Sequence, residues 1–198
     1  MTPDINFKYI IPRGGSQARA FEELSAQLAH KTLTKGDKFE RYHGDGGDGG
    51  VECIAKSPDD SMTGWQSKFV MKVDDLIKQA SLSLETAVKI HPTLKKYILC
   101  FPFDLTGRTG RKNKAGEPAQ SGTDKLNKWI KESIAGYRAK GAVLEEIEAW
   151  PANRVTALIL QFDISGGLRT YFFSETIIPL TWFGKNIEKG IKKGGAKV

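Results

Sequence analysis

The stretch GDGGDGGVECIA, residues 44–55, is answered downstream by WQSKFV, residues 65–70, and together they decide how the chain folds. Five glycines and two aspartates open the first stretch. That is a turn composition, because glycine enters positive-φ conformations without steric cost. An alternating, β-prone run follows, and residues 65 to 71 read as its partner strand. Side chains on a strand alternate faces. Gln66 and Lys68 therefore point one way and Ser67 the other, while Glu52 shares a face with Ile54 and Lys56, opposite Val51 and Cys53. A hairpin built this way brings a carboxylate, an amide oxygen and an ammonium to one spot.

Upstream, residues 38 to 43 alternate and feed the glycine-rich turn as a strand. Before them Ser16 is placed to cap a helix running to about His30, with Phe21, Leu24 and Leu28 on one stripe and Glu22 flanking it. Downstream, Asp74 is expected to cap a second helix reaching about Ile90, whose apolar positions Leu76, Ala80, Leu84 and Ala87 recur at helical spacing. His91-Pro92 stops it. Residues 97 to 101, YILCF, form a continuous apolar run that predicts a central strand buried on both faces.

After a long polar loop over residues 104 to 122, the spacing predicts a third helix over 124–140, through Leu126, Trp129, Ile130, Ile134 and Tyr137. A strand over 143–150 follows, then a short helix opened by Pro151 or Asn153 and ending near Gln161. Residues 162 to 183 are aromatic-rich, carry Gly166-Gly167 as a turn and show no clear period. Helix, meander, helix, strand is the order of an α/β sandwich with a mixed central sheet flanked by helices. We place the core in residues 1–150 and a C-terminal extension or linker in 151–198.

A chain of 198 residues, 39% hydrophobic and 27% charged, has the composition of a soluble domain with a proper core. No apolar run approaches ~18 residues, so no membrane span is expected, and the N-terminus lacks a signal-peptide pattern. Two cysteines, Cys53 and Cys100, lie in strand-like runs and read as buried thiols of a cytoplasmic protein. The net charge of +7 is concentrated. Arg108, Arg111, Lys112 and Lys114 carry +4 in one loop, and the last fourteen residues carry another +4, leaving the remainder near neutral. A basic loop beside a catalytic hairpin suits a polyanionic substrate; the basic tail reads equally as a solvated terminus.

The order Phe21-Glu22, Asp48-Gly-Gly-Val-Glu52 and Gln66-Ser-Lys68 resembles the Mrr-like branch of the PD-(D/E)xK restriction-endonuclease superfamily. That branch shows a helix with a Phe-Glu pair, a Gly-Asp-Gly-Gly-Val-Asp turn into a strand, and Gln-x-Lys on the next strand. The resemblance covers roughly residues 14 to 105. Residues 94 to 106 are also similar to nuclease domains fused to antiviral STAND-type NTPases of bacteria, and the region after about residue 120 looks like the link to a following domain.

The resemblance implies a restriction-endonuclease-like sandwich and a Mg²⁺-dependent endonuclease acting on double-stranded DNA, with Mn²⁺ able to substitute. It further implies action as a homo-oligomer and fusion to an NTPase or sensor domain, as the effector of an antiphage protein.

Phosphodiester hydrolysis needs a divalent cation held by oxygens, and Mg²⁺ prefers one or two carboxylates with several waters. Glu52 stands where the family has Asp and would be the first ligand. Gln66 would offer a neutral oxygen, Glu22 a further carboxylate from the helix, and Lys68 would orient or activate the attacking water. Asp48 could bind metal or cap the glycine turn. Arg108, Arg111, Lys112 and Lys114 fit non-specific phosphate contacts better than base readout. Glu52 carries one methylene more than Asp, which leaves a second reading open, a catalytically degenerate module that binds nucleic acid or oligomerises.

Other chemistries fit less well. No Gly-Lys-Ser/Thr follows the glycines, which argues against a P-loop, and the aspartates do not match an EF-hand. His30, His43 and His91 show no metal-ligand spacing, and only His43 adjoins the glycine turn. Trp65, Trp129, Trp150 and Trp182 read as core residues. A restriction enzyme for modified DNA would need a separate recognition domain, and nothing in the sequence reads as one.

Overall fold

The computed structural model describes residues 5–42, 49–107 and 120–174. A short 3₁₀ turn, Phe7–Tyr9, precedes helix α1, Gln17–Lys31. Ser16 is extended at the N-cap and its hydroxyl accepts from the Arg19 amide at 3.1 Å, which satisfies one of the donors a helix start leaves open. Phe21, Leu24 and Leu28 are fully buried on the inner stripe of α1.

Strands β1 (Lys38–Arg41), β2 (Cys53–Lys56) and β3 (Met62–Ser67) form the meander. Helix α2, Val73–Ile90, follows, then β4 (Leu94–Cys100), α3 (Gly122–Ala139), β5 (Glu146–Trp150), α4 (Ala152–Phe162) and α5 (Gly167–Phe173). The sheet order is β1-β2-β3-β4-β5. β1, β2 and β3 pair antiparallel, and β3, β4 and β5 pair parallel. Parallel neighbours need a crossover, and α2 and α3 supply the two. This is the α/β fold with a mixed sheet between helices that the element order predicts.

One core lies between the sheet and α1, α4 and α5. There Cys53, Ala55, Trp65, Ile98 and Cys100 meet Phe21, Leu24, Val155, Ile159 and Phe172. The other lies between the sheet and α2 and α3, where Ile54, Tyr97, Leu99 and Ile147 meet Leu76, Leu84, Leu126 and Trp129. β4 is buried on both faces along Tyr97 to Cys100, as a central strand requires. Residues beyond 150 contribute Val155, Leu158, Ile159 and Phe172 to the same core as α1.

Several details differ from the local reading. Helix α2 begins at Val73 with Lys72 at its N-cap and no side-chain cap bond. Asp74 sits inside the first turn instead, where its charge complements the helix dipole, and its carboxylate takes Lys125 of α3 at 2.8 and 2.9 Å. Helix α3 starts earlier than expected, because Ser121 and Asp124 form a reciprocal capping box. Val51 joins the α2 and α3 core together with Ile54, rather than facing away from it, since regular β2 begins only at Cys53.

The aperiodic segment after residue 162 contains α5. Asp163 ends α4 through its own amide, bonded to the Ile159 carbonyl at 2.8 Å, and starts α5 by accepting from the Leu168 and Arg169 amides at 3.0 and 2.9 Å. Arg169 Nε adds a bond at 3.1 Å to the same carboxylate. Burial works to raise the pKa of Asp163, yet these bonds and the Arg169 charge hold it below the usual carboxylate range.

Among the described residues Cys53 and Cys100 are buried and unbridged. Burial first, and then the nearby Glu52 charge, push the Cys53 thiol up to about 12, so it stays neutral. Trp65, Trp129 and Trp150 are core residues. No helix among the described residues is long and apolar enough to cross a membrane.

Candidate functional site

The described chain resumes at Gly49 and Gly50, both with positive φ (61° and 81°). Gly50 lies directly on α2. A Cβ there would come 2.1 Å from the Ser83 carbonyl oxygen and 2.6 Å from the Ala87 amide nitrogen, so only glycine fits. The Tyr97 hydroxyl donates to the Gly50 carbonyl at 3.4 Å. These contacts fix where the chain enters β2, and Glu52 is two residues further on.

Glu52 is tied to both neighbours. Its amide donates to the Trp65 carbonyl at 2.7 Å, and its own carbonyl accepts from the Tyr42 amide at 2.9 Å. Its half-buried carboxylate accepts from Gln66 Nε2 at 2.5 Å. Gln66 is 2% exposed, and its Nε2 also reaches the Ser67 carbonyl at 3.3 Å. The other end of the same amide, Oε1, is buried with no hydrogen-bond partner. A buried oxygen with two open lone pairs carries an uncompensated desolvation cost. A carboxylate and an amide oxygen are donors that a hard divalent cation takes, but here the Gln66 amide turns its nitrogen to Glu52, so a cation held by both would need that amide turned over.

Lys68 follows two residues after Gln66 and is half-buried, with its amide donating to the Cys100 carbonyl at 2.9 Å. That bond places it where parallel strands β3 and β4 end, the edge at which open α/β sheets characteristically bind ligands. Glu22 is half-buried on α1, next to Phe21, whose ring packs on Phe69 at a centroid distance of 5.9 Å. The helix thus approaches the chain one residue beyond Lys68.

The structure therefore brings Glu52 and Gln66 together by direct contact, with the Lys68 backbone at the neighbouring end of β3 and Glu22 on α1, beside the Phe21 that packs on Phe69. Asp48, Arg108, Arg111, Lys112 and Lys114 lie outside the described residues. Among the described residues no three of His, Cys, Asp and Glu converge as a metal-holding group.

Among the described residues, cavities lie elsewhere. One, of about 230 Å³, sits over the α1 face of the sheet between Trp65, Lys96, Glu148 and Arg154. Another, of about 570 Å³, is lined by Phe7, Met71, Phe103, Asp104 and Asn153. Neither includes Glu52, Gln66 or Lys68.

Two residues beside the hairpin escape a reading by spacing. His91, at the C-cap of α2, packs its Nε2 against Gly49, and Tyr42 stacks on its ring with centroids 6.1 Å apart and planes 18° apart. Its distance in sequence from the glycine turn hides this. The only local signal is the small residue Ala87 on α2, a mark of close backbone approach. No protein-family model matches the chain, and no curated protein is similar to it at a significant level.

Proposed function

We propose that the chain is a divalent-metal-dependent DNA endonuclease that hydrolyses phosphodiester bonds at the β2–β3 hairpin, with Mg²⁺ as the natural ion and Mn²⁺ able to replace it. One observation carries the reading. The buried, unpartnered Gln66 Oε1 lies on an amide already bonded to the Glu52 carboxylate, two residues before a lysine at the end of β3. A bound ion would supply charge neutralisation at the phosphoryl group and a lowered pKa for its water.

Glu52 and Gln66 hold that ion, with Asp48 and Glu22 as further carboxylates. Lys68 directs an ammonium at the reacting phosphate, where it orients water and offsets developing negative charge. Arg108, Arg111, Lys112 and Lys114 neutralise flanking phosphates of double-stranded DNA. The wider role, as the effector of a bacterial antiphage protein switched on by oligomerisation and joined to an NTPase or sensor domain in the cytoplasm, rests on the resemblance of residues 94–106 and of the ordered motifs.

A second reading is favoured by Glu52 itself. It stands where the family has Asp, and its carboxylate is engaged by the Gln66 amide nitrogen. On that reading the hairpin is a degenerate module that binds nucleic acid without cutting it.

Supercoiled plasmid incubated with Mg²⁺, Mn²⁺ or EDTA, at low and high protein concentration, separates the two. Metal-dependent nicking that falls by about 10²–10⁴-fold in Lys68→Ala is the expected result. Full activity in that variant would remove Lys68 from its role. Salt-dependent retention of DNA with no cutting at any concentration would favour the degenerate module.

A further inference from the structure

We propose that strand β1 is an assembly edge on which a second copy of this chain docks. Two copies pair antiparallel through residues 37–41, centred on Phe39, and join their sheets into one. The inference rests on the fold and on the charges of this strand, and it stands apart from the metal-site reading of Glu52 and Gln66.

β1 is the end strand of the sheet, and among the described residues only β2 lies beside it. The Tyr42 amide turns inward, donating to the Glu52 carbonyl at 2.9 Å. Backbone groups of an antiparallel strand turn to alternate sides, residue by residue. Glu40 and Lys38 therefore bond β2, while Phe39 and Arg41 turn their N–H and C=O groups to the outer edge. Such a row of donors and acceptors is a template for a further strand. A two-fold axis at Phe39 meets it in phase, because Phe39 of each copy then donates its N–H to the other's carbonyl.

The side chains select that register. Residues 37–41 read Asp-Lys-Phe-Glu-Arg. Antiparallel pairing centred on Phe39 sets Lys38 against the other copy's Glu40, Asp37 against its Arg41, and Phe39 against its own counterpart. Every charge then faces its opposite. A slip of one residue sets Lys38 against Arg41 or Asp37 against Glu40, and a slip of two sets Lys38 or Glu40 against itself. Opposite charges facing each other across a strand pair stabilise it, and like charges destabilise it. Charges on an edge commonly keep strands apart. Here they exclude the neighbouring registers and favour one.

Within one copy the same charges are poorly matched. Lys38 lies directly across from Lys56 on β2, a like pair. Among the described residues no carboxylate pairs with Lys38. Glu40 reaches Lys56 at 4.0 Å, with both side chains about half exposed. On the other face Phe39 is half-buried against the α1 core, and its ring lies on that of His30 at a centroid distance of 5.0 Å. Its place is therefore set before a partner arrives. Asp37 already accepts from Thr34 and Ser57, so Lys38 and Glu40 are the residues to test.

A strand of four residues makes a small contact, so the dimer is weak and concentration-dependent. Each Glu52 hairpin sits at the Tyr42 end of its β1. Antiparallel pairing sends those ends to opposite edges of the joined sheet. The contact thus gathers copies without setting two hairpins on one duplex.

Sedimentation velocity of the full chain, from micromolar to millimolar concentration and at low and high salt, is the measurement. The wild type should associate as concentration rises, and less so at high salt. Lys38→Glu puts two like pairs into the contact, and so does Glu40→Lys; each should weaken self-association at least about tenfold. An equimolar mixture of the two variants restores both opposite pairs and should associate like the wild type, as should the double variant. Urea midpoints check that each variant keeps its fold. A wild type that stays monomeric throughout, as when another segment of the chain covers β1, would overturn the proposal. So would association that ignores both reversals, or a folded mixture that fails to recover it.

Discussion

Replacing Gly50 by alanine tests the contact that sets the hairpin on α2. The new Cβ would lie 2.1 Å from the Ser83 carbonyl oxygen, 2.6 Å from the Ala87 nitrogen and 3.1 Å from the Ala87 Cα. All three are backbone atoms of a helix, so no rotamer change relieves the overlap. The turn or the helix has to shift, in a region already packed by Leu84, Ile54 and Tyr97.

Two costs add for this variant. Holding an L-residue at φ 81° costs about 1–2 kcal/mol, and overpacking a dense core costs roughly 1–3 kcal/mol more. A destabilisation of about 2–5 kcal/mol is therefore expected, which at a urea slope of roughly 2 kcal/mol per M lowers the unfolding midpoint by about 1–2.5 M.

Gly64→Ala is the internal comparison. Its Cβ meets the side-chain atoms Val51 Cγ1 at 2.7 Å, Leu94 Cδ1 at 3.1 Å and Val51 Cβ at 3.6 Å, and it has no positive φ to maintain. It should cost less than Gly50→Ala. Equilibrium urea unfolding followed by tryptophan fluorescence reads both. A Gly50→Ala loss under about 1 kcal/mol, or one smaller than that of Gly64→Ala, would refute the reasoning that the turn rests on the α2 backbone.

Asp163→Ala removes a 4%-exposed carboxylate that starts α5 and pairs with Arg169, and should cost about 2–4 kcal/mol because Arg169 is left partly buried and unpaired. Since the Asp163 pKa is depressed in the folded protein, its stabilisation is complete above the unfolded value of 3.8 and fades as pH falls through the folded one. The wild type should therefore lose stability below about pH 4 more steeply than the variant in acid titrations of urea midpoints. Ser121→Ala breaks the capping box of α3 and should cost about 1 kcal/mol, read by the same unfolding assay.

Much of the architecture is local in origin. Ser16 with Phe21, Leu24 and Leu28 specifies α1, because a cap and a 3.6-residue stripe are properties of a short window. The apolar run YILCF specifies a central strand, which β4 is. The ends of α2 and α3 were less legible. Asp74 reads as a cap from sequence, but its role turns on Lys125, fifty-one residues away, whereas the Ser121–Asp124 capping box of α3 is a local pattern that the expected start at Asp124 overlooked. Helix α5 has no period of its own, since Asp163 and the packing of Phe172 against α1 make it.

What the sequence by itself determined is the order of elements through α4 and the residue types of the hairpin, set by side-chain period and turn chemistry; the face of Val51 and helix α5 were not legible there. The tertiary structure alone decided which of those residues touch. Glu52 meets Gln66 because β2 and β3 pair antiparallel in one register. Gly50 and Gly49 rest on Ser83, Ala87 and His91 because the α2 crossover returns its last turns beneath the hairpin. The contacts of Gly49 and Gly50 with α2 join residues more than thirty positions apart, and no local pattern encodes them, because they exist only once the crossover closes and the two cores are packed.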